Sequence, residues 1–398
     1  MRRRRWRVGS QRGMEGMGLE TLLVLVATLT LAYFNGANDV SKGIATLVGS
    51  GVSSYRHAIL WGTAWTALGT IAAAAFASAM ARTFGSGLLA ANVTPAFGPA
   101  LAAIAGAALW VLVATRRGWP VSTTHAIVGA CVGVAAVAYG PGSVEWSALG
   151  GQVVVPLLLS PVLAFGLCIL LARWTLGRSA PQPVARSECL CVELAPLPEV
   201  SLSRTAGGAA PHAGGTTLRF TTGTSAECAV HRPATLRLRV DHLHWLTSGA
   251  ASFARGMNDA PKIAGILLAA SALTGDQSPV GWGLGFALIA TGMVLGSVLG
   301  GLRVTRVLAT EVTRLDHREG FLANLVTASL VVTGAVGGLP MSTTHVSAGA
   351  IIGIGAQRGA GELNRKTIRS MLLAWCVTLP ASAALGVVLH LLIEGSRG

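Results

Sequence analysis

Two acidic residues of this chain stand where acidic residues rarely stand. Of the 16 aspartates and glutamates, Asp39 and Asp259 lie inside long apolar stretches, away from connections and segment ends. A charged side chain at the centre of a bilayer costs about 2.5–3.5 kcal/mol on insertion scales, so such a carboxylate must face a partner or a water-filled site, and it marks a functional path. A partner follows three residues on. Lys42 and Lys262 lie one helical turn after the aspartates, on the same face, where an ammonium can neutralise the carboxylate or hold an anion. Lysine is scarce here: of 30 Lys+Arg residues only Lys42, Lys262 and Lys366 are lysines, and two of them are placed in this way. Asn38 and Asn258 precede the aspartates. A helix cap would explain an aspartate beside an asparagine, and a structural ion pair would explain the lysine. Neither alone calls for both features to occur twice.

The second chemical element is Pro120-x-Ser122-Thr123-Thr124-His125, which returns as Pro340-x-Ser342-Thr343-Thr344-His345. Proline followed by hydroxyl residues suits the start of a helix, whose free N–H groups and positive dipole end attract negative charge. Two such starts facing each other would surround a tetrahedral oxyanion with neutral donors, whereas a single one could equally be ordinary capping and interhelical hydrogen bonding. His125 and His345 can shuttle protons near neutral pH or lock their local turns. Arg255 stands beside Gly256 where the first copy has Asn35, which makes it a candidate one-sided anion ligand.

All these pairs share one register: 259 minus 39 and 342 minus 122 both give 220. Glycines obey it too, at Gly36 and Gly256, Gly129 and Gly349, and Gly133 and Gly353. A duplicated half with polar motifs interrupting apolar segments at matching places is the pattern of a secondary transporter whose site lies between the repeats. An enzyme needs one active constellation and a passive channel has less use for two, so an intramembrane hydrolase built on Ser122 or Ser342 and a passive anion channel are the weaker alternatives.

The elements that must position these groups are membrane helices. Apolar residues make up 52% of the chain and charged ones 12%, which excludes an ordinary water-facing surface. Apolar stretches at 57–81, 93–113, 146–171, 280–301 and 371–393 approach or exceed the ~20 residues that cross a bilayer, and 19–34 reads as a retained first helix rather than a signal peptide. The runs after Pro120 and Pro340 are short enough to be re-entrant. The expected fold is an all-α polytopic membrane protein of two homologous inverted-topology repeats, with broken or re-entrant helices forming a transport core and a scaffold. Its divisions are a basic N-terminal tail at 1–17, a first transmembrane repeat at 18–176, a linker at 177–241 and a second repeat at 242–398. The linker is rich in proline, glycine, serine and arginine and is expected on the cytoplasmic side. The net charge of +14 reads as positive-inside bias rather than a nucleic-acid patch. Cys189 and Cys191 with Cys228 and His231 lack zinc-finger spacing, so reduced free thiols and no metal site are expected.

These motifs resemble the inorganic phosphate transporter family, PiT, also described as phosphate/sulfate permeases. The residues that carry the resemblance are Phe34-Asn35-Gly36-Ala37-Asn38-Asp39-Val40, Gly49-Ser50-Gly51, Pro120 to His125, Gly256-Met257-Asn258-Asp259, Gly320-Phe321 and Pro340 to His345. The resemblance implies an inverted repeat with re-entrant hairpins, phosphate uptake coupled to sodium or protons, and Asp39, Ser122, Thr123, Asp259, Ser342 and Thr343 as ligands. Asn38, Thr124, Asn258 and Thr344 join that set by position, with Lys42, Lys262, His125, His345 and Arg255 in coupling or charge balance. The family's usual residue three after each aspartate is asparagine, and here both are lysine, so the expectation is that the ammonium groups replace sodium and that the coupling ion is a proton. Sulfate is the rival cargo. Phosphate keeps a P–OH that can donate to an aspartate and sulfate has none, which favours phosphate. The expected protein is a non-enzymatic importer in the cytoplasmic membrane of a bacterium, with no cofactor. Its expected partners are inorganic phosphate, lipid and a second copy as a homodimer, without nucleic acid.

Overall fold

A computed structural model describes residues 18–76, 78–175, 188–196, 216–224, 236–274 and 280–396. Seven of its helices are long and apolar enough to cross a membrane.

The first half opens with α1 (Leu19–Asp39) and α2 (Ser41–Gly49), one rod interrupted at Val40, and returns through α3 (Tyr55–Phe76). A short α4 (Ser78–Arg82) leads into a wide turn at Thr83–Gly87. Next come α5 (Phe97–Arg117), the short α6 (Thr123–Ala138), and the long α7 (Trp146–Thr175), which contains a π-helical stretch at Leu149–Val154. The second half repeats the order: α8 (Val240–Ser271), α9 (Trp282–Gly300), α10 (Leu302–Thr310), α11 (His317–Val336), α12 (Thr343–Arg358) and α13 (Arg365–Gly395). The register of 220 holds at element level, since α5 and α11 begin at 97 and 317 and α6 and α12 span 123–138 and 343–358.

The linker departs from the all-α expectation. It carries three antiparallel strands, β1 (Glu188–Pro196), β2 (Thr216–Thr224) and β3 (Leu236–Arg239), in the order β2-β1-β3. Cys189 pairs with Gly223 and Arg239 in this register, and Cys191 with Thr221 and Arg237. Cys228 and His231 lie outside the described residues.

The halves are interleaved. α1 packs on α9 and α8 on α3, while α6 packs on α13 and α12 on α7, so each copy rests on the other. The contacts are close because glycine permits them. A Cβ at Gly36 would stand 2.1 Å from the Met293 carbonyl oxygen, and one at Gly129 would stand 2.4 Å from that of Leu379. The repeated counterparts behave alike, Gly256 against the Thr66 carbonyl at 2.3 Å and Gly349 against that of Pro161 at 2.5 Å. These glycines repeat because two helix backbones touch there in each half.

Hydrogen bonds and one ion pair group the chain into two ends. One end gathers Thr21 with Thr274, Trp282 with the Ala74 carbonyl, and Tyr139 with Ala96. The other gathers Thr46 with His244, Asp241 with His317, and Asn364 with Val312. α6 returns to the end from which α5 departs, and α12 likewise retraces α11. Each pair is a hairpin whose tip, at 118–122 or 337–342, is buried where it enters the second helix, at 120–122 and 340–342.

Candidate functional site

The two long entering helices differ just after their aspartates. Val40, between α1 and α2, keeps helical torsions and its N–H bonds the Gly36 carbonyl at 3.1 Å, whereas Pro261, the counterpart of Ser41, removes a backbone N–H from α8 two residues after Asp259. A hairpin tip faces each aspartate.

Asn38 and Asn258 hold those tips. The Asn38 Nδ2 donates to the Trp119 carbonyl at 3.0 Å and to Thr115 Oγ1 at 3.0 Å. Asn258 engages both backbone groups of Met341, donating to its carbonyl at 2.8 Å and accepting from its N–H at 3.1 Å. The two tips also meet each other, for Thr344 Oγ1 donates to the Val121 carbonyl at 2.8 Å and the His125 and His345 rings lie 4.6 Å apart. His345 further stacks at 4.0 Å on Trp375.

At this junction the charges pair. Lys42 Nζ lies 2.8 Å from Asp39 Oδ1 and 2.7 Å from both the carbonyl and Oδ1 oxygens of Asn38. Lys262 Nζ reaches Thr124 Oγ1 and the Met341 carbonyl at 2.8 Å each, and Asp259 Oδ1 at 3.4 Å. Each ammonium has three protons and each meets three oxygens. Asp39 Oδ2 accepts from Thr123 Oγ1 at 3.0 Å. Lys42 and Lys262 are 2% and 1% exposed, and the aspartates are equally buried.

The sequence-predicted residues thus converge, with distinctions. Asn38, Asp39, Lys42, Thr123, Thr124, Asn258, Asp259 and Lys262 form one connected centre. Ser122 and Ser342 cap their helices, each accepting from the N–H of His125 or His345 at 3.2 Å. The cap residue is therefore serine, with proline two residues ahead of it. Thr343, the first residue of α12, is buried beside its Ser342 cap. Arg255, 1% exposed, places Nη2 2.8 Å and Nε 3.3 Å from Thr66 Oγ1, and its Nη1 has no protein hydrogen-bond partner among the described residues.

One residue outside the predicted set is central. Asn35 Nδ2 lies 2.8 Å from Asp39 Oδ2, 3.2 Å from Asp259 Oδ2 and 3.1 Å from Thr123 Oγ1. A single amide nitrogen thereby bridges the carboxylates of both halves. A neutral amide in a helix carries no signal of its own. Its traces in the sequence are its place in the Phe34-to-Val40 motif and its occupying the position that is Arg255 in the second copy.

Formally the centre holds two carboxylates, two ammonium groups and one guanidinium, an excess of one positive charge. Such a cluster, buried and lined with hydroxyl and amide donors, is suited to an oxyanion.

Duplicated halves, facing hairpin tips and a charge-paired polar centre between them define a multi-pass membrane protein of the transporter class. Over residues 35–386 the sequence matches the phosphate transporter family, and the chain belongs to that family. It is 30% identical to the chloroplastic inorganic phosphate transporter 2-1 of Arabidopsis thaliana, over 94% of this chain and 73% of that protein. It is 29% identical to a Haemophilus influenzae protein designated a phosphate permease, over 92% and 94% of the two chains. A solved structure described as the sodium-dependent phosphate transporter shares the fold, with a TM-score of 0.73 at 23% identity, covering 95% of this chain and 99% of that one. The chain is accordingly a multi-pass protein of the cell membrane, of a family that moves its substrate rather than transforming it.

Proposed function

We propose that the protein imports inorganic phosphate across the cell membrane by secondary active transport, coupled to protons and independent of sodium. The observation that carries the sodium independence is the oxygen shell of each lysine. Carboxylate, carbonyl, amide and hydroxyl oxygens gathered around one point are what a hard cation requires, and here a covalently attached ammonium occupies that point twice. Without the lysines the centre would hold two carboxylates against Arg255 alone and would need bound cations to accept an anion. With them it needs none. Sodium dependence belongs to the structural relative by its description, and the lysines are the reason for reading this chain differently.

Phosphate is read as lying between the facing Ser-Thr-Thr elements and the two aspartates. Thr124, Thr343 and helix N–H groups donate to its oxygens, joined by Thr123 when its hydroxyl turns from Asp39, and Asp39 or Asp259 accepts its P–OH or carries the coupling proton. His125 and His345, in contact across the junction of the tips, are placed to pass a proton between the halves. Alternating access follows if the hairpins rock against the remaining helices around this fixed point. An inverted relation of the halves is supported by the grouping of ends: each half crosses an odd number of times if its hairpin is counted as re-entrant.

The decisive experiment is uptake of radiolabelled phosphate into proteoliposomes under separately imposed proton and sodium gradients, with excess sulfate as competitor. Proton-driven, sulfate-resistant accumulation is the expected result. Accumulation that requires a sodium gradient overturns the coupling assignment, and uptake of sulfate itself moves the cargo to the rival oxyanion.

A further inference from the structure

We propose that a cavity at the linker-bearing end is a second, weaker oxyanion site, a staging position between solvent and the buried centre. Its physiological meaning rests on the phosphate-transport reading, but its chemistry does not. The cavity, of about 380 Å³, opens between the tip of the first hairpin and the start of α13. Its floor is Trp119 and Pro120, whose carbonyls accept from Asn38 at 3.0 Å and from Trp375 Nε1 at 3.1 Å. Thr123, the partner of Asp39, lies three residues further on. The Asn38 hydrogen bond to the Trp119 carbonyl thus ties the wall of this cavity directly to the centre.

Two cations line it. Arg117 lies with its guanidinium carbon 5.1 Å from the centroid of the Trp119 ring, a contact that holds a long side chain against the wall. Lys366, the third of the chain's lysines, is the second residue of α13, so its charge adds to the positive end of a 31-residue helix. Asn364 caps that helix by accepting from the Thr367 N–H at 3.2 Å, and Thr367 and Ser370 offer hydroxyls along the same wall. Glu311 also lines the cavity, leaving two positive charges against one negative.

The repeat shows that the fold does not demand this charge. At the register of 220, Arg117 corresponds to Gly337, Trp119 to Leu339, Glu311 to Ala91, Lys366 to Trp146 and Ser370 to Gly150. None of these counterparts is charged, and of the lining hydroxyls only that of Thr367 has an equivalent, in Ser147. The two cations of this cavity are thus particular to one copy of the repeat, and the cavity lies on the face that carries the linker. A cleft lined with one sign of charge raises the local concentration of its counter-ion and speeds its capture.

The test uses the purified full chain and inorganic phosphate as probe. A Ser370→Cys variant is treated with an anionic methanethiosulfonate reagent, with the unsubstituted chain as background. Phosphate is expected to slow modification several-fold, Lys366→Glu in the same variant to abolish that protection, and Lys366→Arg to retain it. In proteoliposomes, Lys366→Glu is expected to raise the KM for phosphate presented at the linker face roughly 10-fold and to remove the salt dependence of that KM. Arg117→Gln repeats both measurements should Lys366→Glu fold poorly. Absence of phosphate protection while Lys366 is present, or equal protection after its reversal to glutamate, overturns the proposal. If the chain carries no phosphate, uptake fails while protection persists, so the two readings fail separately.

Discussion

Lys42 and Lys262 each satisfy three oxygens, and removing either ammonium leaves those oxygens and a carboxylate without compensation. Lys42→Asn with Lys262→Asn is therefore expected to reduce sodium-free phosphate uptake at least 10-fold and to make the remainder sodium-stimulated, measured as initial rates in proteoliposomes with and without external sodium. Stimulation by sodium that is the same before and after substitution would count against the ammonium-for-sodium assignment. The pairing also bears on stability. Breaking a buried ion pair from one side costs about 3–5 kcal/mol, whereas removing both partners costs much less. Asp39→Ala alone should accordingly lower the thermal midpoint in detergent more than Asp39→Ala with Lys42→Ala. A double variant less stable than either single one would mean the pair is not the unit described here. Of these residues the charged ones were legible in the sequence, because an ionised group in an apolar run is conspicuous and its repetition at one register is decisive. Asn35 was not, since nothing in a helical asparagine announces that its amide reaches two carboxylates 224 and 4 residues away.

At the scale of elements, Pro261 leaves α8 one backbone hydrogen bond short beside Asp259, the place where the site could rearrange most cheaply. Pro261→Ala would restore a backbone donor to α8 and remove a ring that clashes with the preceding turn, worth about 3 kcal/mol in an ordinary helix interior. The expected outcome is a higher melting temperature with slower phosphate turnover at unchanged folding yield; faster turnover would show that the flexible point plays no part in the cycle. The spans themselves were visible as apolar runs, and α6 and α12 as short ones, because length against bilayer thickness is a simple criterion. The strands of the linker were missed for a physical reason. A Pro, Gly, Ser and Arg-rich composition suggested that too little apolar surface was available for structure, and that average concealed a period of two in Leu190, Val192 and Leu194, in Leu218 and Phe220, and in Leu236 and Leu238. Cap chemistry was legible too, for the hydroxyls after each proline include the serines that cap the starts of α6 and α12.

For the molecule as a whole, the grouping of helix ends predicts a sidedness. Single cysteines placed at Leu19 and at Ser396 should be labelled by an impermeant thiol reagent from one side of the membrane and one at Arg239 from the other, in a background lacking the native cysteines. Labelling of all three from the same side would remove the odd number of crossings per half on which an inverted repeat depends. The interleaving of the halves has a further consequence, for synthesis. α1 must wait for α9, α3 for α8, α6 for α13 and α7 for α12, so none of these principal contacts can form while only the first half has left the ribosome. Helices threaded into lipid with their glycine-lined faces uncovered gain little from lipid in place of a neighbouring backbone. They remain open to pairing with another nascent copy until the second half is inserted, which makes the interval between the halves the time when this chain is most exposed to misassembly and to membrane proteases.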